Sequence, residues 1–127
     1  MDGSRFVTAI NCMDGRVQMP VLEWMRREYG ADYVDMVTEA GPNRTLAEGQ
    51  SSSDAISIRR RVEISVVKHA SNVVAVVGHH DCAGNPAPAE TQIKQIRASV
   101  EAVSSWGLRA RVIGLWVDDQ WNIHKVV

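Results

Sequence analysis

The sequence predicts an α/β fold, a layered sandwich with a mostly parallel central sheet and a C-terminal antiparallel edge hairpin. Two observations support this prediction. Short apolar runs that suit buried strands alternate along the chain with amphipathic segments of helical length, a pattern typical of layered α/β folds. Roughly the last twenty residues follow a strand-turn-strand pattern instead, and this predicts the hairpin.

The composition predicts one soluble globular domain over residues 1–127. Hydrophobic residues make up 45% of the chain, charged residues 23%, and the net charge is −1. No basic field indicates a nucleic-acid partner, and the only cationic run, at 59–61, fits a solvated helix face better than a phosphate-binding patch. No apolar run approaches the ~20 residues of a membrane span, and Met1–Arg5 lacks the apolar region of a signal peptide. A cytoplasmic location is therefore predicted.

The first half of the chain predicts a strand-turn-helix unit followed by a second strand. Pro20 suits the first turn of a helix, and Gly30 suits its end. The predicted elements are a strand at 5–11, a turn at 12–16, a helix from Pro20 to Gly30, a strand at 33–38 and a loop at 41–53. That loop is long for a compact domain, which favours a functional role for it.

The segment from Asp54 to Ser71 contains many β-branched residues, yet its pattern favours a helix. Ser53 or Asp54 can serve as N-cap, and apolar residues recur at 58, 62, 66 and 70. The remaining predicted elements are a strand at 72–78, a connector at 84–88, a helix at 89–106, a strand at 110–117, a turn at 118–120 and an edge strand at 121–127.

Side chains that can bind a metal follow two of the predicted strands. His79 and Cys82 come directly after the apolar run 73–78, whose composition suits a strand buried on both faces. Cys12 follows the run 6–10. Because ligands bind outside the carboxyl ends of parallel strands, the three side chains would meet at one edge if the two strands are neighbours.

Two thiolates and one imidazole form a ligand set that zinc binds tetrahedrally, with a fourth position left for water or another side chain. Three protein ligands and an open position are typical of catalytic zinc, because structural sites close with four ligands. Taken singly, Cys12 and Cys82 could be small buried hydrophobic residues, and as a pair they could form a disulfide or a redox couple.

Asp14 and Arg16 lie two and four residues after Cys12. Asp14 could take the fourth position on zinc or accept a hydrogen bond from the oxygen bound there, and a bidentate Arg16 would decide between these by holding the carboxylate away. A structural ion pair beside a turn is the alternative. Asp81 could orient a ligand or cap the following turn.

The segments Cys12-Met-Asp-Gly-Arg16 and Gly78-His-His-Asp-Cys82 resemble the paired Cys-x-Asp-x-Arg and His-x-x-Cys motifs of the β-class carbonic anhydrases. The order and separation of the two motifs are also similar. The resemblance continues in Glu39-Ala-Gly41, which is similar to the turn after the family's second strand. Val112–Asp118 is similar to its penultimate strand.

This resemblance implies a zinc enzyme that interconverts carbon dioxide and bicarbonate. It implies that Cys12, His79 and Cys82 ligate zinc, that zinc-bound hydroxide attacks carbon dioxide, and that Asp14 and Arg16 form the catalytic dyad. His80, His124 and bulk buffer are the candidate proton shuttles. Exposed sheet edges and four Trp residues, expected in the core or at an interface, predict a homodimer or higher homo-oligomer.

Two further functions remain open beside carbonic anhydrase. The same metal and dyad serve the hydrolysis of carbon disulfide or carbonyl sulfide, which would differ only in pocket shape and access. Alternatively, the protein is a catalytically silent zinc-binding relative in which Asp14 stays on the metal.

Overall fold

A five-stranded sheet with the order β2-β1-β3-β4-β5 lies at the centre of the computed structural model, which describes residues 3–127. The strands are β1 (Phe6–Cys12), β2 (Tyr33–Glu39), β3 (Val73–His79), β4 (Arg111–Val117) and β5 (Ile123–Lys125). The first four pair in parallel, and β5 runs antiparallel to β4 at the edge. The predicted fold class is therefore confirmed.

Four α-helices within the described residues cover the two faces of this sheet: α1 (Gln18–Tyr29), α2 (Pro42–Ala47), α3 (Ser53–Lys68) and α4 (Ala89–Ser104). The apolar side chains divide into two clusters. One cluster joins α1 to a sheet face through Val21 and Met25, and the other joins α2, α3 and α4 to the opposite face. The result is a three-layered α/β structure with β3 in the middle of the sheet.

Strand β3 shows why an uninterrupted apolar run is needed at this place. All seven of its residues are buried. Val73, Ala75 and Val77 point into the α1 cluster, while Val74 and Val76 point into the opposite one. A strand with helices on both faces has no polar side, so the alternation seen in half-exposed strands is absent.

The segment 41–53 was predicted as a loop, and that prediction is wrong for half of its length because α2 occupies Pro42–Ala47. Pro42 stands in the first turn of α2, where a missing N–H costs nothing, and Gly41 precedes it with a left-handed φ of 63°. Leu46, 1% exposed, anchors the short helix in the core. The other predicted helices and strands are present, although β5 is only three residues long.

No helix within residues 3–127 is both long enough and apolar enough to cross a bilayer.

Candidate metal centre

Three buried side chains meet where β1 and β3 end. Cys12 is the last residue of β1, His79 is the last residue of β3, and Cys82 follows three residues later. The two sulfur atoms are 3.8 Å apart. One ligand atom from each of the three residues lies within 4.8 Å of the other two. The structure thus brings together the three residues proposed as ligands from the sequence.

The hydrogen bonding of His79 leaves one ring nitrogen facing the two sulfurs. Its Nδ1 lies 2.7 Å from the backbone oxygen of His80. Because a carbonyl oxygen can only accept, Nδ1 carries the proton and Nε2 holds a lone pair in the neutral ring. Among residues 3–127, Nε2 is the only buried side-chain nitrogen or oxygen atom without a hydrogen-bond partner. A buried acceptor left free in this way suits a metal ligand.

The two thiols share one negative charge in the protein alone. The hydrogen bond from Cys82 lowers the pKa of Cys12 to about 4 against the effect of burial. The same bond, together with burial, raises the pKa of Cys82. Ionising both sulfurs would place two like charges 3.8 Å apart, which needs a cation between them.

His79 responds to the same negative charge. Burial opposes its protonation, but the neighbouring Cys12 sulfur and the hydrogen bond to the His80 carbonyl outweigh burial, and the pKa of His79 is raised. The centre therefore favours positive charge although it is almost closed to solvent. A divalent cation bound by two thiolates and a neutral imidazole satisfies this preference.

Two amide side chains, one of them fully buried, hold the end of β1. The backbone N–H of Cys12 donates to Oδ1 of Asn11 at 2.9 Å, and the Cys12 carbonyl accepts from Nε2 of Gln18 at 2.6 Å. Asn11 is fully buried and also donates to the Val17 carbonyl. Sequence reasoning missed both amides; the signal was a polar residue directly before Cys12 inside an apolar strand.

The loop that carries Cys82 packs tightly against the turn after β2. A Cβ atom on Gly41 would lie 2.7 Å from Cβ of Asn85, and one on Gly84 would lie 2.7 Å from Cβ of Ala40. Only glycine permits this approach. The Ala40-Gly41 pair, noted in the sequence as part of the family resemblance, thus holds the metal-site loop in place.

A network of buried amide side chains on α2 and α4 also supports the loop that carries Cys82. Gln92 donates to the Asn85 carbonyl at 2.8 Å and accepts from Asn43 at 2.8 Å. A Cβ on Gly78 would lie 2.9 Å from atoms of both Asn43 and Gln92. Gln92 was missed in the sequence because polar residues on an amphipathic helix are normally solvent-facing.

Asp14 and Arg16 form a bidentate pair beside this centre. Nη2 of Arg16 donates to Oδ2 of Asp14 at 2.7 Å, and Nε donates to Oδ1 at 3.1 Å. These hydrogen bonds lower the pKa of Asp14 to about 2 and raise the pKa of Arg16. Oδ2 of Asp14 is 4.0 Å from Nε2 of His79. The carboxylate therefore stays ionised at the mouth of the site.

Two more residues touch Arg16. Asp81 accepts from Nη1 at its side chain, 3.2 Å away, and from Nη2 at its carbonyl, 3.0 Å away. The ring of Trp121 covers the guanidinium at 4.8 Å and lies 6.4 Å from the His79 ring. The sequence left open whether Asp81 orients a ligand or caps the following turn. It favoured a core or interface position for Trp121 over a role in stacking on a ligand.

A small cavity of about 320 Å³ opens beside Cys82. Pro86, Ala87 and Trp116 contribute apolar walls, and His80 stands at its border. His80 is exposed, whereas His124 pairs with Asp118 at 2.6 Å. The cavity has the dimensions of a site for a small molecule.

The fold is that of the β-carbonic anhydrases. A crystal structure of a β-carbonic anhydrase from Trichomonas vaginalis aligns with a TM-score of 0.67 at 15% identity, covering 95% of this chain and 81% of that one. A carbonic anhydrase from Streptococcus mutans aligns with a TM-score of 0.65 at 17% identity and the same coverage. A structure from a report of two tetrameric β-carbonic anhydrases of Sordaria macrospora aligns at 0.57 and 13% identity, covering 96% and 80%.

The family can also be stated from the sequence. The model of the family described as "Putative carbonic anhydrase" matches residues 2–127, and the chain belongs to that family. A search of curated proteins gave no match. The resemblance seen in the two motifs is thereby confirmed.

Proposed function

We propose that this protein is a carbonic anhydrase that interconverts carbon dioxide and bicarbonate at a zinc ion held by Cys12, His79 and Cys82. The observation that carries the proposal is the free, buried Nε2 atom of His79 in a group of three residues whose ligand atoms lie within 4.8 Å of one another. Two sulfur donors and one imidazole suit zinc better than the oxygen-preferring cations. Bound there, zinc would supply a Lewis acid and lower the pKa of a coordinated water.

Asp14 would orient the attacking water. Arg16 keeps the carboxylate of Asp14 ionised, and Oδ2 of Asp14 lies 4.0 Å from the free Nε2 atom of His79. An ionised carboxylate only accepts hydrogen bonds, so it would accept one from the nucleophile and leave the nucleophile's lone pair directed at carbon dioxide. Asp14 and Arg16 are thus proposed as the catalytic dyad.

The position of Asp14 also argues against the silent alternative. That alternative requires the carboxylate to act as a fourth ligand. Both of its oxygens are instead engaged by Arg16, which donates from its backbone, Nε and Nη2 atoms. Moving Asp14 onto a metal would break this bidentate pair, one of the stronger kinds of hydrogen-bonded ion pair.

A homo-oligomer is proposed as the working state. Strand β2 forms one edge of the sheet, and Tyr33 at its start is 55% exposed. An open edge and exposed aromatic surface favour association with another chain. The predicted cytoplasmic location stays a prediction.

Stopped-flow measurement of carbon dioxide hydration, with zinc content determined on the same sample, tests the proposed function. We expect about one zinc per chain and a turnover that rises from about pH 6 to about pH 9 as the bound water ionises. Turnover of carbon disulfide or carbonyl sulfide but not of carbon dioxide would replace the proposed substrate. A zinc-loaded protein inert to all three would refute the enzymatic role.

A further inference from the structure

The backbone of Trp121 is in an unusual conformation for an aromatic residue. Its φ is 62°, in the left-handed region that bulky side chains avoid. Such a conformation persists only where neighbouring contacts enforce it, and it is found preferentially at functional positions.

Asp118 holds the turn. Its Oδ1 accepts the backbone N–H groups of Gln120 and Asn122 at 2.8 and 2.9 Å, and its carbonyl accepts the N–H of Trp121 at 3.0 Å. His124 binds the other carboxylate oxygen at 2.6 Å. The turn between β4 and β5 is therefore tied on both sides of Trp121.

The ring of Trp121 covers the face of Arg16 that the two carboxylates leave open. Asp14 binds Nη2 of the guanidinium and the Asp81 side chain binds Nη1. The ring centroid lies 4.8 Å from Cζ of Arg16. Without this ring, a side chain that is already 47% exposed would be held only by its hydrogen bonds to Asp14 and Asp81.

We propose that Trp121 is a positioning residue for the dyad: its ring, set by the turn that Asp118 ties, fixes the guanidinium of Arg16 and through it the carboxylate of Asp14. The catalytic consequence rests on the proposed function, whereas the effect on Arg16 does not. Trp121 acts through Arg16 and takes no part in metal binding. Its loss therefore lowers turnover without lowering zinc content.

Two variants separate the ring from the backbone. Trp121→Asn removes the ring and keeps a residue that tolerates the left-handed conformation. Trp121→Phe keeps an aromatic face over Arg16. Solvent exchange of the Arg16 Nε–H, measured by NMR, reports how firmly the guanidinium is held. The Nε–H of Arg44, which donates to Glu48 at 2.8 Å and has no ring over it, is the internal reference.

We expect Trp121→Asn to speed exchange at Arg16 by about fivefold, the loss of one cation–π contact of ~1 kcal/mol, with Arg44 unchanged. We expect kcat for carbon dioxide hydration to fall by about the same factor with KM and zinc content unchanged, and Trp121→Phe to restore most of both.

Unchanged exchange at Arg16 in Trp121→Asn would overturn the proposal, and so would faster exchange with unchanged kcat in an active enzyme. If the wild-type protein does not hydrate carbon dioxide, the proposed function and the catalytic consequence of Trp121 both fail. The exchange of the Arg16 Nε–H still decides in that case whether Trp121 fixes the guanidinium.

Discussion

The Nδ1 atom of His79 lies 2.7 Å from the carbonyl oxygen of His80, and this hydrogen bond determines which ring nitrogen is left for a metal. The bond joins neighbouring residues at the end of β3, so it forms with the strand itself. A backbone acceptor behind a histidine is the usual device for fixing the tautomer and orientation of a metal ligand. Four expectations follow from this centre and its surroundings.

Replacing Cys82 with Ser should remove the metal and the stability that the metal provides. At a free zinc concentration about a thousand times the dissociation constant, binding stabilises the folded state by ~4 kcal/mol. We expect the variant to lack zinc by elemental analysis and to unfold at a correspondingly lower denaturant concentration. The control is the same unfolding measurement on the wild type and on Cys82→Ser in the presence of a chelator, which removes the metal from both. A difference of the same size in chelator would show that Cys82 acts through packing instead.

Asp14→Asn should retain zinc and lose most of the turnover, about a hundredfold or more, because an amide does not accept in the way an ionised carboxylate does. Asp81→Asn is the matched comparison, since it changes the other carboxylate on Arg16 in the same way. That pair is exposed, with 71% of the Asp81 side chain open to solvent, and we expect less than about a fivefold change. Equal losses in the two variants would refute the role given to Asp14. The measurement is the steady-state rate of carbon dioxide hydration in the two variants and the wild type.

Acid should destabilise the metal-free protein partly through Asp14. Its pKa is lowered from 3.8 to about 2 by Arg16. The unfolded chain therefore binds more protons between these values, and the stabilisation present above the ordinary pKa is lost as the pH falls toward about 2. We expect the free energy of unfolding to drop more steeply across this window in the wild type than in Asp14→Asn. Denaturant titrations in chelator at several pH values measure it, and parallel curves would contradict the expectation.

Gly41→Ala should disturb the loop that carries Cys82. Gly107→Ala is its control, because φ is also left-handed there, 71°, but no atom lies within 4 Å of the added Cβ. The backbone penalty alone should lower the free energy of unfolding by about 1–2 kcal/mol in the control. The clash with Asn85 should add about 1–3 kcal/mol in Gly41→Ala and weaken zinc binding. Equal unfolding energies and equal zinc affinities in the two variants would show that the two loops are not coupled.

The meeting of Cys12, His79 and Cys82 and the layered fold could both be predicted from the sequence because both depend on short-range signals. A buried parallel strand is an unbroken apolar run, and side chains at its carboxyl end form a site by virtue of sheet geometry, as Cys12 and His79 do. Helix α2 was missed because Gly41 and Pro42 signal a turn and a helix start equally well. The burial of Leu46, which depends on the tertiary fold, is what favours the helix over the turn.

The roles of Gln92 and Trp121 could not be predicted for a different reason. Each depends on a contact with a residue far away in the chain, Asn43 for Gln92 and Arg16 for Trp121. Sequence periodicity describes which side of an element faces inward, but it does not identify the partner. A buried amide on a helix and an aromatic residue in a tight turn therefore had ordinary interpretations until the fold was known.

The sulfurs of Cys12 and Cys82 belong to segments 70 residues apart. During synthesis the first cysteine leaves the ribosome long before the second, and no complete set of donors exists until β1 and β3 have paired. If the three residues bind zinc, the ion would bind after chain collapse, unlike in small zinc modules whose clustered ligands nucleate their own folding. The chain would then fold first as metal-free protein and take up its zinc afterwards.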